Sequence, residues 1–297
     1  MARVGVVGLG HIGGSLATNL VADGHDVTVH DLDASRAEAI DGAKAVQTVA
    51  DVAAASDITL TSLPTPDVVQ AVADEWASAA APGSVLLELS TTLPDSNRAI
   101  AARLAASGHH FVEAPLTGGH IGAANRGLVF MVGGDDEPVS RCLPILEQLG
   151  RATFHVGPVG TGTTMKLANS LLAMACTWAS FESLSLAAKA DIDLRTAVEV
   201  IRTAGVTNFY IDRGVEGINV RGKPAEFTLE LAAKDAGLIN DVAAATGVPA
   251  EIAQAARSLL DDAVARGLGD HDWTDLVLAA EARAGVDLHL PPPKTEE

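Results

Sequence analysis

Short apolar runs and helical periods alternate through the first ninety residues, and nothing else in the sequence constrains the fold as strongly. Val4–Val7 is an apolar run bounded by glycines, and Ile12–Ala22 follows it with helical spacing. Gly24 closes that helix and leads into a second strand, Val27–His30. Ile58–Leu63 is a further strand stopped by Pro64, and Val68–Ala80 is helical. Pro82-Gly83 turns the chain into the strand Val85–Leu89, and Gly108 ends a helix over Arg98–Ala106. Strands separated by helices of this length predict βαβ units on a parallel sheet. Two more strands are expected at Phe111-Val112 and Leu128–Val132, a helix at Pro138–Leu149, and a last strand at Phe154–Val156.

Beyond the glycine-rich turn 157–162 the pattern changes. Residues 163–190 hold neither proline nor glycine and carry apolar side chains nearly all the way round. One long helix is predicted there, buried on most faces within a second domain or a dimer. The rest offers only helical patterns, at Leu194–Thr203, Phe209–Val215, Leu229–Thr246, Glu251–Arg266 and Thr274–Ala284. The expected organisation is an α/β N-terminal domain over 1–160 and an all-helical C-terminal domain over 161–290. A proline-rich tail, 291–297, is expected to be disordered.

Composition narrows the partners. The formal charge is −18, yet only 20% of residues are charged and 48% are hydrophobic, which excludes a disordered polyelectrolyte. The acidity is spread along the chain, and no basic stripe is present to track a nucleic acid or an anionic membrane. A small anion remains a suitable ligand, held by backbone N–H groups and one or two lysines. Cys142 and Cys176 have neither metal spacing nor a disulfide pattern, so no metal is expected. No secretory leader is read at the N-terminus, and the apolar stretch 167–181 is short for a membrane span, so a cytoplasmic protein is expected.

Gly8-Leu9-Gly10-His11-Ile12-Gly13 fits G-x-G-x-x-G between a strand and a helix. Gly8 permits the turn, Gly10 leaves room for a pyrophosphate, and Gly13 lets helix and strand approach. His11 and Ile12 open the helix whose N–H groups face the phosphates, His11 as a turn residue and not a catalyst. Asp31, at the end of the second strand, is placed to accept hydrogen bonds from an adenosine ribose. Its charge would repel a 2′-phosphate, so this Rossmann-type domain is expected to bind NAD in preference to NADP. Leu63-Pro64 and Ser90-Thr91 end later strands at the carboxyl edge, where parallel sheets bind ligands, and are assigned to the same cofactor.

Lys166 stands near the start of the most apolar helix, with Asn169 and Ser170 on the same face at i+3 and i+4. An amine there either snorkels to solvent or serves chemistry as a general acid or base. Upstream, Thr117-Gly118-Gly119 sets a hydroxyl and successive glycine N–H groups in a turn, a cradle for a carboxylate.

These segments resemble the 3-hydroxyisobutyrate dehydrogenase-related family of β-hydroxyacid dehydrogenases along almost the whole chain. The glycine turn, Glu113-Ala114-Pro115-Leu116-Thr117-Gly118-Gly119, Gly160-Thr161-Gly162-Thr163-Thr164-Met165-Lys166-Leu167-Ala168-Asn169, and Lys234-Asp235 follow the family's order. The resemblance implies a Rossmann-type domain joined by a long helix to a helical domain, in a homodimer or homotetramer. It implies Lys166 as the catalytic lysine, Thr117, Gly118 and Gly119 as carboxylate binders, and Asn169 as the residue orienting the substrate. Ser170, where many relatives carry a second asparagine, is grouped with the substrate site. Ser90 and Thr91 would lie near the nicotinamide, and Lys234 would line the cleft on the cofactor side. Thr117 replaces the usual serine and narrows the pocket. His120 and Arg126 are read as solvated loop residues, the alternative being recognition of a polar or second anionic group on the substrate.

The activity implied is hydride transfer between NAD and a small 3-hydroxy acid such as 3-hydroxyisobutyrate. Reduction of tartronate semialdehyde or another short aldehyde acid is one alternative, and an NAD-binding sensor or structural paralogue without turnover is the other.

Overall fold

A computed structural model describes residues 2–206, 208–212, 218 and 220–289. The chain divides into two compact units, Met1–Leu167 and Ala168–Glu297.

The first unit is built on a nine-stranded sheet: β1 Arg3–Val7, β2 Asp26–His30, β3 Lys44–Ala45, β4 Ile58–Thr61, β5 Val85–Glu88, β6 His110–Glu113, β7 Leu116–Thr117, β8 Leu128–Gly133 and β9 Gly150–Gly157. Its order is β3-β2-β1-β4-β5-β6-β8-β7, with β9 also paired to β8. The strands from β3 to β6 are parallel, β8 runs antiparallel to β6, and β7 runs antiparallel to β8. The predicted parallel sheet is therefore present, with a mixed edge added to it.

Alternation along the strands explains why both faces are covered. Val4, Val6, Val85 and Leu87 enter one apolar cluster, while Val7 and Leu86 enter another with Val52, Trp76 and Ile100. A sheet buried on both sides needs helices on both sides. They are α1 His11–Ala22, α2 Ala34–Glu38, α3 Val49–Ala55, α4 Pro66–Ala77, α5 Pro94–Ala106, α6 Gly119–Ala124 and α7 Asp136–Leu149. The strand order reverses between β1 and β4, and α/β sheets take their ligands outside the carboxyl ends of the strands at such a point.

α8, Thr161–Lys189, starts in the first unit and continues in the second. α9 Leu194–Thr203, α10 Leu229–Thr246, α11 Glu251–Ala263 and α12 Leu276–Ala284 follow. Among its described residues the second unit holds helices and one isolated β-bridge, Thr228 to Asp272. Side-chain caps mark two of these helices: Asp193 accepts from the Thr196 N–H before α9, and Thr228 from the Leu231 N–H before α10.

Several expectations are revised. β4 ends at Thr61, two residues early, which frees Ser62 and Leu63 for a loop. The last strand of the first unit begins at Gly150, not at Phe154, because pairing with β8 extends it. The pattern at Glu251–Arg266 breaks at Ala263 and passes into a wide turn containing Gly267. Residues 209–212 are helical, while 213–215 and the tail 291–297 lie outside the described residues. The long helix is present, with apolar side chains left open in a single copy. α8 passes length and hydropathy criteria for crossing a membrane, yet its most apolar stretch is only 39% buried, and Leu172 and Leu186 are 64% and 74% exposed. A single copy of the chain does not cover all the faces that its composition leaves apolar.

Candidate functional site

The turn after β1 has the shape the glycines require. Gly8 has φ +85°, and a Cβ there would stand 2.3 Å from the Ser62 carbonyl oxygen. A Cβ on Gly13 would stand 1.9 Å from the Gly8 carbonyl oxygen, so α1 rests directly on the turn. Around Gly10 there is open space: a Cβ would meet nothing within 4 Å. Gly10 also begins α1 without a side-chain cap, which leaves the first-turn N–H groups of His11, Ile12 and Gly13 to water or an anion.

Asp31 closes the turn from β2. Its Oδ2 accepts the Leu9 N–H at 2.6 Å and its Oδ1 accepts the Asp33 N–H at 2.9 Å. The carboxylate is thus fixed while its side chain remains 11% exposed, with the Arg36 guanidinium 3.8 Å away. Beside it lies a cavity of about 150 Å³ lined by Asp31, Leu32, Val46 and Gln47. Leu32 is 97% exposed, an apolar face next to the Asp31 carboxylate. The open glycine cradle, the free helix start and the anchored carboxylate fit a dinucleotide.

The loops after β4 and β5 are tied to each other. The Leu63 N–H donates to Ser90 Oγ at 2.8 Å, which joins two segments assigned to the cofactor. Ser90 is in turn held by Glu88, whose Oε1 accepts the Ser90 N–H at 2.5 Å, and Thr61 Oγ1 donates to the other carboxylate oxygen. Glu88 is 1% exposed. Burial pushes its carboxyl above the usual range, the bonds from Ser90 and Thr61 oppose that, and Glu113 nearby adds to it. Pro64 follows Leu63 and leads to Thr65, whose hydroxyl caps α4. Thr91 lies between Ser90 and Thr92, and Thr92 Oγ1 donates to Asn97 Oδ1 at 2.9 Å.

Thr117 ends β7 opposite Val129, and Gly118 follows at φ +125°, a conformation that suits glycine. Gly118 and Gly119 are exposed at the start of α6. α6 rests on the dinucleotide helix α1: Asn19 Nδ2 donates to the Ala123 carbonyl at 2.9 Å, and the His11 and His120 rings lie 6.0 Å apart. The Thr117-Gly118-Gly119 turn and the glycine turn after β1 are therefore adjacent. Arg126 is committed elsewhere. Its guanidinium donates to both Asp23 carboxylate oxygens and to the Gln148 and Asn19 carbonyls, pinning the end of the α6 loop to α1 and α7.

Glu113 makes the next junction. Fully buried at the end of β6, it accepts the Gly160 N–H at 2.8 Å and the Thr163 N–H at 3.1 Å on Oε1. Its Oε2 accepts Thr163 Oγ1 at 3.0 Å and Asn97 Nδ2 at 2.6 Å. The start of α8, three residues before Lys166, is thereby seated in the first unit. Lys166, Asn169 and Ser170 share one helix face, Ser170 at 7% exposure. Lys234, on α10 in the second unit, lies 3.1 Å from Asp235, itself buried.

Glu88, Asn97, Glu113 and Thr163 escaped assignment from sequence. An acid inside the apolar strand Val85–Leu89 is a signal for Glu88, and Glu113 heads the motif that ends in Thr117-Gly118-Gly119. Asn97 gave no signal.

Residues 3–157 match the family described as the NAD binding domain of 6-phosphogluconate dehydrogenase. Residues 160–280 match that described as NAD-binding of NADP-dependent 3-hydroxyisobutyrate dehydrogenase. The chain is 31% identical to 2-(hydroxymethyl)glutarate dehydrogenase of Eubacterium barkeri, over 96% of this chain and 97% of that one. It is 30% identical to NAD-dependent L-serine dehydrogenase of Pseudomonas aeruginosa, over 92% and 96% respectively. The solved structure of Mycobacterium tuberculosis 3-hydroxyisobutyrate dehydrogenase with L-serine superposes with a TM-score of 0.85 at 29% identity, covering 94% of this chain and 98% of that one.

Proposed function

Since the chain belongs to the 3-hydroxyisobutyrate dehydrogenase-related family of β-hydroxyacid dehydrogenases, we propose that it oxidises a short 3-hydroxy carboxylic acid with NAD, using Lys166 as general base. The observation that carries this reading is the bonding of Glu113, at the head of the Thr117-Gly118-Gly119 segment, to Gly160 and Thr163, just ahead of Lys166. This ties the strand that leads to the Thr117-Gly118-Gly119 segment to the helix turn that precedes Lys166.

NAD, when bound, supplies the hydride acceptor. Gly8, Gly10 and Gly13 shape its pyrophosphate turn, the N–H groups of His11 and Ile12 face the phosphates, and Asp31 takes the ribose hydroxyls. Ser90 and Thr91 border the nicotinamide, Leu63 and Pro64 are assigned to the same cofactor, and Lys234 to the cofactor side. Thr117 Oγ1 and the Gly118 and Gly119 N–H groups hold the substrate carboxylate and fix its distance from the reacting carbon. Asn169 and Ser170 orient the substrate oxygen. Lys166 Nζ accepts the hydroxyl proton in oxidation and returns it in reduction. Reduction of tartronate semialdehyde or another short aldehyde acid uses the same residues in reverse.

The dinucleotide-binding domain is assigned to 1–160 and the helical substrate and oligomerisation domain to 161–290. The exposed leucines of α8 support a homodimer or homotetramer. A cytoplasmic enzyme of small metabolites is the setting proposed, without nucleic-acid or membrane partners.

The test is a panel of short 3-hydroxy acids with NAD and NADP side by side, run on the intact chain and on Lys166→Ala. NADH formation on at least one acid is expected, with kcat lowered by about 10²-fold or more in the variant and NAD affinity little changed. Tight NAD binding without turnover across the panel would favour the sensor reading. Near-normal turnover by Lys166→Ala would remove the lysine from the chemistry.

A further inference from the structure

We propose that Glu113 is a positioning residue for Lys166, fixing the first turn of α8 against the loop after β5; this rests on the reading of Lys166 as the acid/base. A helix start needs acceptors for its first N–H groups, and these usually come from a neighbouring Ser, Thr, Asp or Asn. Here the acceptor comes from 47 residues upstream of Gly160, at the end of strand β6. One carboxylate takes the Gly160 and Thr163 N–H groups and the Thr163 hydroxyl, so both ends of its fork engage the same turn.

The carboxylate has no slack. A Cβ on Gly133 would lie 2.5 Å from Glu113 Oε1, and one on Gly162 would lie 3.1 Å from it, so two glycines close around the oxygen. Asn97 Nδ2 donates to Glu113 Oε2 and to Thr163 Oγ1, and Thr92 Oγ1 donates to Asn97 Oδ1. Glu113, Asn97, Thr92 and Thr163 are all fully buried. A continuous chain of bonds thus runs from Thr92, beside Ser90 and Thr91, to the first turn of α8. Lys166 lies three residues after Thr163, less than one helical turn of about 3.6 residues. Rotation or fraying of that turn redirects the amine, whereas a seated turn aims it in a constant direction relative to the β5 loop.

The negative charge also suits the place, since the N-terminal end of a helix carries partial positive charge. Glutamine has the same shape and can reproduce most of the bonding. Its carbonyl would accept the two N–H groups, and its amide would donate to Thr163 Oγ1 and to a flipped Asn97. Alanine reproduces none of it.

The experiment is a double-mutant cycle in the full-length enzyme with NAD: Glu113→Ala, Lys166→Ala and the pair together, with Glu113→Gln as the conservative variant. Thermal stability, NAD affinity, KM and kcat are measured for each. Glu113→Ala is expected to lower kcat by about 10²-fold, the scale of a misplaced catalytic group, with NAD affinity within about twofold of normal. Glu113→Gln should recover at least roughly tenfold of that loss, and it supplies the comparison with the parent if the alanine variant does not fold. The pair should be no slower than Lys166→Ala alone, because a residue acting through the amine has nothing left to position. For Glu113→Gln the equivalent pair with Lys166→Ala applies.

Unchanged kcat in a folded Glu113→Ala would overturn the proposal. So would losses that multiply in the double variant, or that fall equally on NAD affinity, since either marks a structural role only. Those outcomes leave the lysine reading intact if Lys166→Ala is slow; normal turnover by Lys166→Ala sinks the lysine reading itself.

Discussion

Glu88 and Glu113 stand directly opposite one another across the β5–β6 pair, and both are buried to within 1%. Two carboxylates in neighbouring positions of one sheet are costly unless each is satisfied differently. Glu113 has the N–H groups of a helix start. Glu88 has a hydroxyl and one N–H, and its carboxyl is pushed above the usual range by burial, with Glu113 contributing.

This asymmetry has a sign that can be checked. A carboxyl with a raised folded-state pKa keeps its proton in the native chain where the unfolded chain has already lost it. Its contribution to stability is complete below the ordinary value of 4.5 and is lost as pH rises through the raised value. Glu88→Gln imitates the protonated form and keeps both bonding partners. Its melting temperature should therefore gain on that of the parent as pH rises from about 4.5 toward neutrality, and track it at lower pH. Parallel melting curves across that range, followed by circular dichroism, would show that Glu88 does not titrate on its own account.

The glycine turn yields a second prediction, because two of its glycines are needed for different reasons. A Cβ on Gly13 collides with backbone at 1.9 Å, whereas a Cβ on Gly10 meets nothing in the chain. Gly13→Ala should destabilise the fold by about 1–3 kcal/mol, the usual cost of overpacking. Gly10→Ala should melt normally yet lose NAD affinity by roughly tenfold or more, since its methyl occupies the space left for the anion. Calorimetric melting and NAD titration of the pair separate the two effects. A stable Gly10→Ala that binds NAD normally would place the pyrophosphate elsewhere.

Arg126 illustrates how a surface cation is misjudged from sequence. Its partners, Asp23, Gln148 and Asn19, are all distant in the chain, and together they tether the α6 loop. Arg126→Ala should cost about 1–2 kcal/mol, less in high salt, for a half-exposed bidentate pair with two carbonyl bonds. Arg126→Gly should cost less than alanine, because the residue sits at φ 57°. The relative rates with monoanionic and dianionic hydroxy acids should be the same as in the parent. A selective loss of dianionic substrates would restore the guanidinium to the substrate site.

The legible parts of the molecule are those whose residues are contiguous. β1, the glycine turn and α1 are encoded within one short stretch, so period and glycine spacing read them together. α10 has the bounds that its sequence predicts, because Thr228 and Gly247 cap it locally. β3 and β7 have two residues each, too few for any period to register, and pairing alone defines them. The seat of α8 was not legible, since Glu113 meets it only after β6 has taken its place in the sheet. The exposure of Leu172 and Leu186 in a single copy bears on an alternative the sequence leaves open, between burial in a second domain and burial in a dimer. Hydropathy states that a face must be covered but not whether the same chain covers it.

Cofactor choice gives the last prediction, and it turns on Asp31 and Arg36. The Asp31 carboxylate is held by the Leu9 and Asp33 N–H groups, and the Arg36 guanidinium lies 3.8 Å from it. In this arrangement the acid dominates: a 2′-phosphate would face a fixed negative charge, and Arg36 is already partly neutralised by Asp31 and Asp33. Asp31→Ser removes the repulsion and leaves Arg36 free to turn toward the phosphate. The ratio of kcat/KM with NAD to that with NADP should then fall by roughly 10- to 100-fold, partly through weaker NAD binding and partly through improved NADP binding. Adding Arg36→Ala to that variant should erase the NADP gain while leaving the NAD loss in place. If Asp31→Ser weakened both cofactors equally, the carboxylate would be holding the turn together and not discriminating at the ribose.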